Sequence, residues 1–172
     1  NLGGEGCDSL VDTPEQRADQ TDDGAGGNVV GNYATLNPLA MGSNAVLSNG
    51  NLDATASSGT NGIGTTIGMS SGKWYCEVTI NNVGSETKIG IGKQDVLTAE
   101  AGSQANTWAY INIGDKMNNN SNTSYGNLFT TGDTIGIAFD ADGGNLYFYK
   151  NGTAQNSGTA AYTGLTDGPY FF

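Results

Sequence analysis

Apolar and polar residues alternate most regularly in the stretch 132–152. Both halves of this stretch repeat with a period of two, which is typical of strands that bury one face. The segment 140–145 between them is rich in Asp, Gly and Asn, the residues that favour turns. The stretch therefore predicts a long antiparallel hairpin, which needs other parts of the chain to cover its apolar face. That face is formed by Ile135, Ile137, Phe139, Leu146 and Phe148.

The same alternation predicts three further strands and one edge strand. In the predicted central strand 73–80, every second residue from Trp74 to Ile80 is apolar. Tyr75, Glu77 and Thr79 face the opposite way. The three strands cover 73–80, 87–92 and 108–113, and the edge strand lies near 65–70. The predicted core therefore adds to the hairpin face the residues Trp74, Cys76, Val78, Ile80, Ile89 and Ile91.

The segments between these strands carry turn signals. The sequence 48–50, Ser-Asn-Gly, predicts a tight hairpin turn between two short apolar pieces. Single helical turns are expected near 13–18 and near 96–101. The Asn-rich segment 118–124 is expected to be a polar loop.

The composition agrees with an all-β fold. The chain has 172 residues, of which 28 are glycine and only 3 are proline, and this favours many short strands joined by glycine turns. It carries 6 basic and 17 acidic residues, for a net charge of −11. Such a charge argues against nucleic-acid binding, which needs clustered Lys and Arg. No apolar run is long enough to span a membrane, so membrane insertion is not expected.

Residues 1–44 differ from the rest of the chain. Residues 1–32 show little periodicity, and 19–28 are acidic and glycine-rich. A segment of this kind cannot bury enough apolar surface to fold alone. We therefore predict an extended N-terminal arm over 1–44, which docks on neighbouring subunits, and one all-β domain over 45–172. The apolar anchors of the arm are Leu10, Val11, Pro14, Tyr33, Leu36 and Leu39.

The sequence argues against an enzyme. It contains no histidine, which excludes Ser-His-Asp and Cys-His systems and histidine-ligated metal sites. Glycoside hydrolysis needs two facing carboxylates, and Glu77 has no carboxylate two residues further along its strand. The segment 140–145 begins like a calcium loop, but its twelfth position is Asn151 rather than Glu, which favours a plain turn. No catalytic residue, metal or cofactor is expected.

The two cysteines leave two interpretations open. Cys76 lies on the apolar side of its strand and is expected to be a small core residue. Cys7 lies in the polar arm, and a disulfide between the two is the less favoured alternative.

Aromatic and amide side chains suggest a ligand-binding surface. Aromatic rings stack on sugars, and neighbouring amides form hydrogen bonds with them. The alternative is that Trp108 is a core residue and that the Asn-rich segment is merely solvated. The candidate binding residues are Trp108, Tyr110, Asn112, Asn118, Asn119, Asn120 and Tyr125.

Several stretches also resemble SPRY domains. The resemblance covers about 45–172 and rests on 72–78 (GKWYCEV), 89–92 (IGIG), 132–142 (GDTIGIAFDAD) and 146–152 (LYFYKNG). It implies a bent antiparallel β-sandwich of the lectin-like jelly-roll kind, used for binding rather than catalysis. Domains of this family continue beyond the aromatic stretch 168–172, so the resemblance implies that the sandwich is truncated at its C-terminus.

The N-terminal pieces 11–14, 31–39 and 47–52, followed by a SPRY-like module, are similar to structural proteins of tailed phages, especially marine ones. This resemblance implies a non-enzymatic virion structural protein, such as a fibre, appendage or capsid-decorating subunit. It would lie on the virion surface as a homo-oligomer, bound to other virion subunits and to a host-surface glycan or protein. The alternatives are a lectin-like module that recognises cell-surface glycans and a SPRY adaptor that binds a peptide.

Overall fold

The computed structural model describes residues 34–56 and 61–172. Their regular structure is almost entirely β, with one short 3-10 helix at Gln94–Val96 and a second helical turn at Gln155–Gly158. The strands are β1 Leu36–Met41, β2 Ala45–Ser48, β3 Asp53–Ala56, β4 Ile63–Thr65, β5 Lys73–Thr79, β6 Lys88–Lys93, β7 Thr107–Ile111, β8 Asp115–Asn118, β9 Ser121–Ser124, β10 Thr134–Asp140, β11 Asn145–Lys150, β12 Thr153–Ala154 and β13 Tyr170–Phe171.

These strands form two larger antiparallel sheets and two small ones. The four-stranded sheet has the order β12-β11-β10-β5, and the five-stranded sheet has the order β13-β6-β7-β8-β9. The strand pairs β1-β4 and β2-β3 form the two small sheets. The all-β fold predicted from the sequence is therefore confirmed, as is the antiparallel β-sandwich that the resemblance implies.

The core lies between the two larger sheets. From the four-stranded sheet it receives the whole predicted hairpin face, from Ile135 to Phe148, and every one of these side chains is buried. From the five-stranded sheet it receives Tyr110, whose ring stacks on that of Phe148 with 5.4 Å between centroids. The rings of Phe139 and Tyr170 also meet across the two sheets, 5.2 Å apart.

The predicted inner face of β5 is also confirmed. Ile137 pairs with Cys76 on one side and with Phe148 on the other, so the three strands present one continuous apolar surface. Ile80 and Ile91 are buried, whereas four other predicted core residues are partly buried and pack against the core. These four are Trp74, Cys76, Val78 and Ile89.

The predictions were wrong in three places. The predicted loop 118–124 contains β9 and the end of β8, joined by a turn in which Asn119 and Asn120 have positive φ. Asparagine tolerates this conformation better than most residues, so an Asn pair can close a tight hairpin. The predicted edge strand at 65–70 is instead β4 followed by an isolated bridge between Met69 and Tyr170. The helical turn expected at 96–101 lies at Gln94–Val96.

Part of the predicted arm belongs to a strand pair. The segment 36–41 forms β1, in which Leu36 lies opposite Thr65 and Met41 opposite Ile63 of β4. This part of the predicted arm therefore pairs with a strand of the same chain. The predictions for 1–33, including the helical turn at 13–18 and Cys7, lie outside the described residues.

Asp133 ties the start of β10 to the neighbouring turns. Its carboxylate accepts hydrogen bonds from the Thr130 amide at 2.8 Å and the Asn151 side chain at 2.7 Å, and Lys150 Nζ lies 3.1 Å away. Asn151 in turn accepts a hydrogen bond from the Thr134 amide at 2.8 Å. The bond from Thr130, followed by those from Asn151 and Lys150, lowers the pKa of Asp133.

The substitution Asp133→Asn should lower the free energy of unfolding at neutral pH, because these partners stabilise the ionised carboxylate. The folded-state pKa lies below the unfolded value of about 3.9. The contribution is therefore fully present above that value and is lost as the pH falls through the folded-state pKa. Urea unfolding of both proteins across this range should show a difference that shrinks in acid. A difference independent of pH would contradict this role.

Candidate interaction surfaces

Two of the predicted binding residues are buried, so their predicted place on a binding surface was wrong. Tyr110 is 0% exposed, and its hydroxyl donates to the carbonyl of Asn127 and lies 3.3 Å from Gln155 Oε1. Tyr125 is 6% exposed and donates to the carbonyl of Thr159 at 2.9 Å. Both tyrosines face the core because β7 and the segment after β9 carry them against the ring of Phe148.

Three further candidates have structural partners. Trp108 is partly buried and packs its ring against that of Tyr170, with centroids 5.5 Å apart. The Asn112 side chain accepts a hydrogen bond from the Thr87 amide at 3.0 Å. The Asn118 side chain donates to backbone carbonyls, with the closest contact at 2.8 Å to Thr107. Asn119 and Asn120 are exposed at the tip of the β8–β9 hairpin, so of the seven candidates they are the ones open to solvent.

The four-stranded sheet carries an aromatic surface on its outer side that the sequence did not single out. In register across this sheet, Tyr149 and Glu77 lie on either side of Gly136, and Tyr147 and Tyr75 lie on either side of Ala138. We call Tyr75, Glu77, Tyr147 and Tyr149 the tyrosine face. Because the central strand contributes only small side chains here, its neighbours project above it.

Tyr75 is the most prominent member of the tyrosine face, with 53% of its surface exposed. Its hydroxyl donates to Glu77 Oε1 at 2.7 Å, and its ring lies 6.1 Å from that of Tyr149 at an interplanar angle of 81°. A side chain at Gly136 would collide with the Tyr75 hydroxyl, since a Cβ there would lie 2.4 Å from it. Partial burial, followed by the hydrogen bond to Glu77, raises the pKa of Tyr75 to about 12, so the hydroxyl is a neutral donor at physiological pH.

The alternation of β5 and β11 contained the signal for this surface. If Trp74 and Phe148 face the core, then Tyr75 and Tyr149 must face outward. The sequence did not reveal that the two strands flank β10, because pairing between distant strands has no local signature. That arrangement brings the outward residues together.

A second surface lies on the strands that precede the SPRY-like blocks. Leu39 is 93% exposed, Val46 66% and Leu52 64%. A shallow cavity of about 320 Å³ lies beside Leu39, bordered by β1, by the segment 94–98 and by Phe171. Of the predicted arm anchors, Leu36 is partly buried in β1 and Leu39 is exposed, whereas Leu10, Val11, Pro14 and Tyr33 lie outside the described residues.

The remaining polar groups at the predicted sites serve the backbone. Asp140 Oδ1 accepts from the Gly143 amide at 3.0 Å, and Asp142 Oδ1 accepts from the Gly72 amide at 2.9 Å. Burial raises the pKa of Cys76 to about 12, which keeps its thiol protonated and weakly reactive. Among residues 34–56 and 61–172, no three His, Cys, Asp or Glu side chains are grouped so that they could hold a metal ion. Nor does this part of the chain contain a helix that is long and apolar enough to cross a membrane.

The fold is a β-sandwich with an exposed aromatic surface on one sheet. Comparison with protein families agrees, because residues 73–171 match the family model for the SPRY domain. This match covers more than half of the 172 residues. The chain belongs to the SPRY domain family. Membership in this family indicates an interaction module, and protein partners in particular.

The substitution Tyr110→Phe should destabilise the fold by about 0.5–1.5 kcal/mol, because it removes the hydrogen bond to the Asn127 carbonyl, whereas Gln155 Oε1 keeps the bond from the Asn127 amide. Thermal or urea unfolding would measure this cost. Binding of any partner to the folded variant should be unchanged, since Tyr110 has no exposed surface. Lost binding with unchanged stability would instead assign Tyr110 to a binding site.

Proposed function

We propose that this protein is a non-enzymatic structural protein of a virus particle, of the kind found in tailed phages. In this proposal the SPRY sandwich is displayed on the virion surface as part of a fibre, an appendage or a capsid decoration. The N-terminal region 1–44 docks it on other virion subunits, and copies of the chain form a homo-oligomer. The displayed module binds a protein or glycan of the host surface.

The exposure of large apolar side chains on the N-terminal strands carries this proposal. Leu39 projects almost completely into solvent from β1, and Val46 and Leu52 are about two-thirds exposed nearby in the sequence. Single exposed apolar residues are ordinary, but several on one short segment are typical of a surface that a partner covers. Two of the three N-terminal pieces that resemble phage structural proteins, 31–39 and 47–52, overlap this segment.

The chemistry of the carboxylates supports binding rather than hydrolysis. A glycoside hydrolase needs a proton donor of raised pKa that faces a second carboxylate. Glu77 lies opposite Gly136 and accepts a hydrogen bond from Tyr75. The pKa of Asp133 is lowered rather than raised, and Asp140 and Asp142 cap backbone amides. These carboxylates therefore have structural partners instead of the surroundings of a general acid.

The substitution Leu39→Asp in the full chain tests the assembly role. We expect the unmodified chain to form a homo-oligomer in sedimentation velocity, and the variant to dissociate at least about tenfold more readily, because a charge at a buried contact carries a desolvation cost. The melting temperature of the folded domain should not change, since Leu39 contributes little to its own core.

Leu128→Asp is the matched control, because Leu128 is also a largely exposed leucine, at 64% against 93% for Leu39, but lies between β9 and β10 rather than on the N-terminal strands. Leu128→Asp should leave the oligomer intact.

The unmodified protein should also remain in purified virus particles after washing with concentrated salt, as judged by mass spectrometry. A full chain that stays monomeric at high concentration and is absent from washed particles would refute the proposal.

A further inference from the structure

We infer that the tyrosine face binds a basic protein segment by holding a Lys or Arg side chain between the ring of Tyr75, the ring of Tyr149 and the carboxylate of Glu77. This inference rests on the proposed function in one respect, that the displayed module binds another macromolecule. It adds the surface and the chemistry of the partner.

The geometry of the two rings suits a cation. The planes of Tyr75 and Tyr149 stand at 81° to each other with their centroids 6.1 Å apart, so the rings form an open corner on the outer side of the sheet. Aromatic faces attract ammonium and guanidinium groups within about 6 Å of the ring centroid. The small residue Gly136 makes room for the Tyr75 hydroxyl, which lies over it, so the ring of Tyr75 lies along the sheet and keeps its outer side open to a ligand.

Glu77 supplies the charge that makes this corner selective. Its Oε1 atom accepts a hydrogen bond from the Tyr75 hydroxyl at 2.7 Å, which orients the ring and leaves the other carboxylate oxygen available to a ligand. A carboxylate accepts up to about four hydrogen bonds. An incoming Lys or Arg can therefore form a charge-assisted hydrogen bond with Glu77 while its alkyl chain lies on the aromatic surface.

The wider charge distribution favours the same partner. Residues 34–172 carry ten acidic side chains against five lysines, and three of these lysines, Lys88, Lys93 and Lys150, already lie within ion-pair distance of carboxylates. Lys73 also lies on the outer side of this sheet, but in register it stands opposite Asp140, which offsets its charge. The excess of acidic residues therefore favours a basic partner over an acidic one, and Glu77 places one of these charges on the tyrosine face.

A neutral glycan is the competing occupant, because sugars also stack on tyrosine rings. The two ligands differ in their dependence on charge. Binding of a Lys or Arg side chain must weaken with added salt and with removal of the Glu77 charge, whereas stacking of a neutral sugar is affected far less.

Fluorescence anisotropy with the full chain can distinguish binding of a basic peptide from binding of a neutral glycan. The probes are a labelled peptide of alternating Lys and Gly, the same peptide with every Lys acetylated, and a labelled neutral mannose oligosaccharide. Glu77→Gln keeps an acceptor for the Tyr75 hydroxyl but removes the charge, and Tyr75→Ala removes the ring. Each should weaken binding of the Lys peptide by about tenfold, the scale of a cation–π contact or a close charge pair.

Asp53→Asn is the matched control, because it also removes one negative charge but from β3, which belongs to the separate β2–β3 sheet. It should change the affinity less than about twofold, since an exposed distant charge is largely screened. The acetylated peptide should not bind. All variants should remain folded, and only Tyr75→Ala should melt at a lower temperature, because it loses the ring contact with Tyr149.

Equal effects of Glu77→Gln and Asp53→Asn would overturn the inference, since binding would then reflect net charge alone. Tyr75-dependent binding of the mannose probe without binding of the Lys peptide would also overturn it and would assign the face to glycans, while leaving the proposed display function intact. Conversely, a Glu77-dependent Lys-peptide affinity in a chain that is absent from virus particles would support the inference and refute the proposed function.

Discussion

The structure depends on the burial of one apolar face of the β10–β11 hairpin. Ile137 shares a register position with Cys76 and Phe148 across three strands, and the ring of Phe148 stacks on Tyr110 of the opposite sheet. Deep burial of several large side chains supplies most of the hydrophobic stabilisation available to such a domain. Once these residues face inward, every alternate residue of β5, β10 and β11 must face outward. The position of the tyrosine face is therefore a consequence of how the core is packed.

This dependence explains which parts of the fold could be predicted. Strands β5, β6, β7, β10 and β11 each bury one side, so their alternation was visible in the sequence and their predicted positions agree with the structure within a few residues. The hairpin of β8 and β9 escaped prediction because β9 is exposed along its whole length and carries polar residues on both sides. Without a buried side, the chain has no period of two to reveal. The turn at Asn119 and Asn120 was the remaining signal.

The candidate site was harder to predict because exposure cannot be inferred from residue type. Tyr110 and Tyr75 are both tyrosines in alternating strands, yet one is 0% and the other 53% exposed. The difference lies in the register of each strand: Tyr110 pairs with Ile89 and faces the core, whereas Tyr75 pairs with Ala138 and faces away from it. The amides of Asn112 and Asn118, expected to meet a ligand, instead satisfy backbone groups within the domain. Polar residues in loops often have this role, since buried backbone groups need partners.

The central claim is that this SPRY domain binds its partner through the outer side of the four-stranded sheet. Carbon-13 NMR of the full chain with labelled tyrosine rings tests it most directly, because each ring reports its own surroundings. On addition of the Lys peptide, the signals of Tyr75 and Tyr149 should shift progressively, while those of Tyr110 and Tyr125 should not move. Bound peptide that leaves the Tyr75 and Tyr149 signals unchanged, and perturbs residues of the β8–β9 hairpin instead, would contradict the account.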